Sequence, residues 1–383
     1  MIAVKRLLFC FSFIMTQHAN AQFSVTFILD HFPGNHLSDT FFIAGNFNGW
    51  HPGSAQYSFP IKEDGSSTIT LSLAAGPYEY KFTRGEWPKV ETTPDGKNLA
   101  NRSLNVDHDT TVRVAIVGWA DDFNKDVFPK KGHTASPNVY IIDTAFYMPQ
   151  LERERRIWIY LPAGYAASGK KYPVIYMHDG QNLFDEATAF AGEWGVDDFL
   201  DSLQAVGNKE TIVVGIDNGH AKRMTEYNPY TYAQFGKGEG DHYVDFLVKT
   251  LKPFIDKNYR TLKGRPNTFI AGSSMGGLIS LYAVLKYPKI FGGAGVFSPS
   301  FWTAPGIDSM VRSHAGSMDA RLFFYAGGKE GNSMLVNQKR IINEIEQSST
   351  SQVKEVVDPD AQHNEAAWRK HFPQFYEWVV LKK

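Results

Sequence analysis

The sequence predicts a doubly wound, mostly parallel α/β sheet preceded by a small β-sandwich. Three observations carry that prediction. An alternating apolar pattern is confined to residues 22–119, apolar runs alternate with helical stretches from residue 138 onward, and one Gly-x-Ser-x-Gly turn lies between such a run and a helix. A chain of 383 residues is long enough for two domains, and 43% hydrophobic with 21% charged residues is a globular composition. The 39 Lys and Arg residues are matched by 40 Asp and Glu, which leaves no cationic surplus for a nucleic-acid partner.

Residues 1–21 read as a secretory signal peptide. Lys5 and Arg6 precede an apolar run from Leu7 to Met15 that ends in Ala19-Asn20-Ala21. The run is shorter than the roughly 20 apolar residues a membrane span needs. It contains the only cysteine, Cys10, so the exported chain would have no disulfide and no thiolate metal site. Lipidation at Cys10 is the weaker alternative, because bulky Leu8 and Phe9 precede it.

Over residues 22–119, Ile69, Leu71 and Leu73 alternate with Thr68, Thr70 and Ser72. The pattern recurs at Tyr78, Tyr80 and Phe82 and at Val112, Val114 and Ile116, with turn clusters at Glu63–Ser67 and Pro94–Asn98. Half-buried strands at this spacing predict a sandwich. Residues 120–137 lose periodicity and gather Lys, Gly, Pro and Ser, as a linker does. Within residues 138–383, strands are expected at Arg156–Leu161, Tyr172–Met177, Thr211–Ile216, Thr268–Ala271, Gly292–Phe297 and Leu322–Ala326. Alternation with helices implies parallel strands joined by crossovers. Tyr243, Leu247, Leu251 and Ile255, and likewise Trp368, Phe372, Phe375 and Val379, form core-facing helical stripes.

Gly272-Ser273-Ser274-Met275-Gly276 follows the Thr268–Ala271 run and opens the helical run Leu278–Leu285. A sharp turn there lifts a serine hydroxyl above the sheet, so Ser274 is the candidate nucleophile, with Ser273 the fallback if the register is off by one. Such a serine needs a histidine base held by a carboxylate, in the chain order serine, acid, histidine. Of the histidines that follow, His314 comes before the last clear strand and His371 lies in the aromatic stripe, which leaves His363, just ahead of the helix cap Asn364. Glu330, in the loop after the Leu322–Ala326 run, is the candidate acid, and Asp358 and Asp360 compete for that role. Backbone N–H groups of Met275 and Gln181 are the candidate oxyanion donors, Gln181 belonging to the Gly-containing loop His178–Asn182, in which Asp179 or a neighbour is the alternative donor. His178 and Asp179 have no matching ligands, so no metal and no cofactor is expected.

These segments resemble the esterase D and feruloyl-esterase branch of the α/β-hydrolases. The matching residues are His178-Asp179-Gly180-Gln181-Asn182, the turn at Ser274, Gly328-Lys329-Glu330 and His363-Asn364-Glu365-Ala366-Ala367-Trp368. The family's acid is often Asp, and Glu330 stands in its place. Asp217-Asn218-Gly219 with Arg223, Glu226 and Tyr227 is similar to the family's substrate-side loop, and Trp194 and Trp302 complete the candidate pocket. The front region resembles the starch- and glycogen-binding sandwiches, an immunoglobulin-like (E-set) fold, at Gly45–Trp50, Tyr78–Phe82, Gly85-Glu86-Trp87 and Asn101-Arg102. That resemblance implies sugar stacking by Trp50 and Trp87 and hydroxyl bonding by Lys81 and Asn101.

The resemblances together imply an exported serine esterase acting on acyl, acetyl or feruloyl esters of a carbohydrate. Two alternatives are a siderophore-type ester hydrolase, suggested by Arg223 near Glu226 and Tyr227, and a glycan-binding protein with an inactive hydrolase domain. Gly164–Lys171 imitates a P-loop, but Lys171 stands where Mg²⁺ binding needs Ser or Thr. Asn101-Arg102-Ser103 is a glycosylation sequon by pattern.

Overall fold

The computed structural model describes residues 22–36, 38–48, 50–60, 67–97, 99–123, 132–189, 192–205, 210–232 and 235–382. The expected leader at 1–21, residues 63–66 and 98 of the turn clusters and residues 124–131 of the linker lie outside them. The chain divides into two compact units at residues 125 and 126.

The first unit is built of strands β1 (Gln22–His31), β2 (Phe41–Gly45), β3 (Ser58–Phe59), β4 (Ser67–Ala74), β5 (Gly76–Thr83), β6 (Arg102–Val106) and β7 (Thr110–Ala115). They form two sheets, ordered β4-β1-β7 and β3-β2-β5-β6. Alternate residues of both sheets meet in one core that includes Val25, Phe27, Ile43, Leu71, Tyr80, Phe82, Val114 and Trp119. This is why the sequence alternates here: each sheet has one dry face. Thr83 is an exception, fully buried on the face opposite Phe82, where its hydroxyl donates to the Pro52 carbonyl, and Ala44 beside Ile43 is another.

The second unit holds β8 (Val139–Met148), β9 (Arg153–Tyr160), β10 (Val174–His178), α1 (Val196–Ala205), β11 (Ile212–Ile216), α2 (Arg223–Glu226), α3 (Gly240–Phe246), α4 (Lys252–Asn258), β12 (Thr268–Ser273), α5 (Met275–Lys286), β13 (Gly293–Phe297), α6 (Ile307–His314), β14 (Arg321–Gly327), α7 (Asn332–Ser348), β15 (Gln352–Asp358) and α8 (Glu365–Phe375). One eight-stranded sheet runs β15-β14-β13-β12-β10-β11-β9-β8. Strands β10 to β15 are parallel, β9 is antiparallel to β11, and β8 is antiparallel to β9. Two cores cover the two faces: Val174, Tyr176 and Ile270 point into one with α5 and α6, while Ile175, Met177 and Ala271 point into the other with α8. Burial on both faces explains the uninterrupted apolar runs of the central strands.

In the second unit, β8 and β15 are the strands that the sequence pattern does not predict. Both are sheet edges. β8 leaves Tyr140, Ile141 and Tyr147 exposed and is broken by two register shifts, and β15 has no fully buried residue. No helix among the described residues is long and apolar enough to cross a membrane.

This topology sets up the site. His178, Ser273 and Gly327 end their strands, and Ser298, Glu330 and His363 lie in loops beyond carboxyl ends, on the edge where open α/β sheets gather their chemistry.

Candidate active site

Ser274 occupies the turn between β12 and α5 with φ 59° and ψ −118°, a left-handed conformation that is costly for a residue with a side chain. The neighbours hold it there. Ser274 N–H donates to Phe297 O at 2.8 Å, and its carbonyl accepts from Ser300 N–H and Leu278 N–H, both at 3.1 Å. Two glycines are required by close approach: a Cβ on Gly272 would lie 2.9 Å from His178 Cδ2, and one on Gly277 would lie 2.8 Å from Phe297 O. Ser273 is the last residue of β12 and is buried, so the turn presents Ser274.

Glu330 and His363 are brought together from loops 33 residues apart, with His363 Nδ1 2.7 Å from Glu330 Oε2. Glu330 Oε1 also accepts from Gly327 N–H at 2.6 Å and Ser298 Oγ at 2.7 Å, and Trp368 Nε1–H donates to Ser298 Oγ at 2.9 Å. The His363 ring stands edge-on to Trp368 at 5.0 Å. Asn364 caps α8, its Oδ1 accepting from Ala367 N–H at 3.0 Å, and this sets the direction in which the His363 loop enters the helix.

Burial raises the Glu330 pKa, but His363, the Ser298 hydroxyl and the Gly327 N–H outweigh it and hold the carboxyl below its usual value. Desolvation opposes the His363 imidazolium, but Glu330 and then Glu365 outweigh it and hold the ring's pKa above its usual value. Glu365, buried beside this loop, is itself raised by burial. Both competing acids are engaged elsewhere: Asp358 pairs with His371 at 2.9 Å and Lys370 at 2.7 Å, and exposed Asp360 pairs with Lys329.

The structure does not join the nucleophile to the base by a hydrogen bond. Among the described residues, Ser274 Oγ bonds Ser300 Oγ at 3.0 Å instead. Rotation about the Ser274 Cα–Cβ bond re-aims the hydroxyl, and such catalytic bonds commonly tighten only when substrate is bound.

Met275 is the first residue of α5, where N–H groups lack helical acceptors and the helix dipole favours negative charge. Gln181 sits in a tight turn, Gly180–Asn182, introduced by Asp179 at φ 56°. Gly180 lets this turn lie on β11, since a Cβ would come within 2.9 Å of the Gly215 and Ile216 backbone. Neither the Met275 nor the Gln181 N–H meets a backbone acceptor among the described residues. Arg223 holds the Asp179 carboxylate with Nε at 2.7 Å and Nη2 at 2.8 Å, and Asn218 Nδ2 adds a bond at 2.8 Å. His178 is buried, pushed down to about 3 by desolvation, and bonded through Nδ1 to Tyr243 OH at 3.0 Å.

Three of the five expected pocket residues lie in the interior. Trp194 is 3% exposed and edge-on to Phe297 at 5.0 Å. Tyr227 is fully buried under the Asp179 N–H. Glu226 is fully buried and bonded by Arg155 Nη2 at 2.8 and 2.7 Å and by Arg153 Nη1 at 2.9 Å, because a buried carboxylate has to be neutralised. Arg223 and Trp302 are partly exposed, and Trp302 stands edge-on to Tyr232 at 5.9 Å. Sequence reasoning missed Ser298 and Ser300. They follow β13 at its carboxyl end, so the positional rule that selects Glu330 also points to them.

In the first unit Trp50 and Trp87 are adjacent, 6.3 Å between ring centroids and 39° between planes, both partly exposed. Lys81 Nζ donates to Leu99 O at 2.6 Å and Asn101 Nδ2 to Glu79 Oε2 at 3.1 Å, so both have internal partners.

A mixed sheet in this order, with a serine at a strained strand-to-helix turn, defines an α/β-hydrolase, and the relatives make it a carboxylic ester hydrolase. The Esterase family model, described as "Putative esterase", matches residues 149–378, and the chain belongs to that family. Among curated proteins it is 27% identical over 245 residues to the uncharacterized protein YbbA of Bacillus subtilis, covering 60% of this chain and 93% of YbbA. It is 31% identical over 144 residues to an endo-1,4-beta-xylanase/feruloyl esterase of Xylanibacter ruminicola, covering 37% of this chain and 19% of that protein. The BES protein of Bacillus cereus shares the fold with a TM-score of 0.53 at 20% identity, over 65% of this chain and 97% of BES.

Proposed function

We propose that the protein is an exported serine esterase that hydrolyses acyl esters, acetyl or feruloyl among them, carried by an oligo- or polysaccharide. The observation that carries the reading is the 2.7 Å His363–Glu330 bond formed beside a strained Ser274 turn. With Nδ1–H donated to Glu330, His363 keeps its Nε2 lone pair for the Ser274 proton. Ser274 Oγ then bonds to the ester carbonyl carbon, and the oxyanion accepts from Met275 and Gln181 N–H. Collapse breaks the ester C–O bond as His363 returns the proton to the leaving alkoxide. Water, deprotonated by the same histidine, releases the acid from the acyl-enzyme.

The carbohydrate assignment draws on the xylanase/feruloyl esterase relative and on the paired Trp50 and Trp87 rings, whose faces suit a pyranose. A siderophore-type ester hydrolase is the second reading, supported by iron(III) enterobactin esterases among the relatives; Arg223 and Glu226 do not add to it, because Arg223 turns its Nε and Nη2 toward Asp179 and Glu226 is enclosed by Arg153 and Arg155. A panel of 4-nitrophenyl acetate, methyl ferulate, acetylated xylan and a catecholate ester tests the proposal with wild type and Ser274→Ala. Turnover of the carbohydrate-type esters by wild type alone is expected. Equal rates for the two proteins would refute the serine mechanism, and turnover of the catecholate ester alone would refute the substrate class.

A further inference from the structure

We infer that Arg223 and Asp179 form a positioning clamp that sets the spacing between the two halves of the oxyanion hole, an inference that rests on the serine-esterase reading. The two donors come from different elements. Gln181 N–H belongs to the turn after β10 and Met275 N–H to the first turn of α5. A carbonyl oxygen can be held by both only if those segments stay in register, and misplacement by about 1 Å costs on the order of 100-fold in rate.

Arg223 is the side chain that touches both. Its Nε and Nη2 grip the Asp179 carboxylate, which introduces the Gln181 turn, and Nη2 also reaches the Ser273 carbonyl at 3.5 Å, next to the nucleophile. The Asp179 carboxylate itself lies against the start of α5: a Cβ on Gly276 would be 3.5 Å from Asp179 Oδ2. Asn218 reinforces the arrangement. Its Nδ2 donates to Asp179 Oδ1 at 2.8 Å, and its backbone N–H donates to Gln181 Oε1 at 3.2 Å. Beneath them Tyr227 accepts the Asp179 N–H at 3.3 Å and offers its ring face to the Arg223 guanidinium at 5.3 Å.

Asp179 needs this support because it holds φ 56°, a left-handed conformation uncommon for a residue with a side chain. A planar two-pronged guanidinium fixes a carboxylate in orientation as well as position, which a lysine ammonium cannot do. Arg223 therefore acts through Gln181 and the Ser274 turn, and contact with substrate is not its role.

The test uses Arg223→Lys and the double variant Arg223→Met/Asp179→Asn, which leaves no unpaired buried charge. The substrate is 4-nitrophenyl acetate, which carries no charge for the guanidinium to pair with. Four quantities are measured: kcat, KM, the inhibition constant of an aryl trifluoromethyl ketone, which forms a tetrahedral oxyanion adduct, and the thermal midpoint. The clamp predicts a kcat loss of about 10- to 100-fold in both variants, below the 10²- to 10³-fold expected for deleting a donor outright. KM should stay within about threefold and the ketone constant should rise in parallel with the kcat loss. A raised KM with unchanged kcat would make Arg223 a substrate contact and overturn the clamp. So would wild-type kcat in the double variant, or a kcat loss that merely follows the folded fraction. A wild-type protein whose Ser274 resists a fluorophosphonate probe removes the serine-esterase reading itself. A labelled, active wild type with unimpaired variants removes only the clamp.

Discussion

Replacing Glu330 by Gln changes two atoms' chemistry while keeping the shape of a buried side chain. In the wild type, Oε1 accepts from Gly327 N–H at 2.6 Å and from Ser298 Oγ at 2.7 Å, and Oε2 faces His363 Nδ1 at 2.7 Å. A glutamine has one oxygen to place. If that oxygen faced His363, the amide nitrogen would meet the Gly327 N–H, donor against donor, so the oxygen stays on Gly327 and Ser298. The amide N–H₂ then faces His363 Nδ1 and selects the tautomer with the proton on Nε2, which cannot accept from Ser274. The equivalent change in the Ser-His-Asp prototype costs roughly 10⁴-fold in kcat, so a loss of about 10³- to 10⁴-fold, near 4 to 5.5 kcal/mol of barrier, is expected here. The assay is 4-nitrophenyl acetate hydrolysis followed across pH, with Asp358→Asn as the control, because Asp358 pairs with His371 and Lys370. A Glu330→Gln enzyme within about threefold of wild type would refute the reasoning, as would a 10³-fold loss in Asp358→Asn.

Three further outcomes are expected. Because Glu330 holds the His363 pKa above its usual 6.5, wild-type kcat/KM should fall as pH drops through that raised value, and in Glu330→Gln the acid limb should move to lower pH; an unmoved limb in the residual activity would contradict this. Glu226→Gln leaves the buried Arg155 guanidinium short of a counter-charge, while Arg153 keeps Glu239, so a loss of about 3–5 kcal/mol in urea unfolding is expected, and a loss under 1 kcal/mol would show that the Arg155–Glu226 pair is not structural. Burial raises Asp197 from 3.8 to about 6 in the folded protein, so its native form binds the proton more tightly than the unfolded form does. That stabilisation is complete below pH 3.8 and fades as pH climbs through about 6; Asp197→Asn should therefore gain on wild type by about 2 kcal/mol between pH 4.5 and 7.5, and a pH-independent difference would contradict it.

The central strands were legible in the sequence because they are buried on both faces. Val174 to Met177 has no polar residue to interrupt the run. β8 was not legible, since an exposed edge with two register shifts shows neither alternation nor an apolar run. The Ser274 turn could be read from local chemistry, and Glu330 and His363 from chain order, because they lie beyond the carboxyl ends of the parallel strands β12, β14 and β15. Orientation was harder. Whether Trp194, Glu226 or Tyr227 lines a pocket depends on where its side chain points, and that is decided by partners such as Arg155, 71 residues from Glu226. The Ser274–Ser300 contact spans 26 residues, with α5 and β13 between, and no spacing rule within either segment announces it.

The most direct measurement traps the covalent intermediate. Wild type is quenched in acid during the first turnover of 4-nitrophenyl acetate, and the acetylated peptide is located by mass spectrometry. The account predicts one acetyl group per chain, on Ser274, accumulating with the nitrophenol burst and missing from Ser274→Ala. An acetyl group on another residue, or steady turnover by Ser274→Ala, would contradict it.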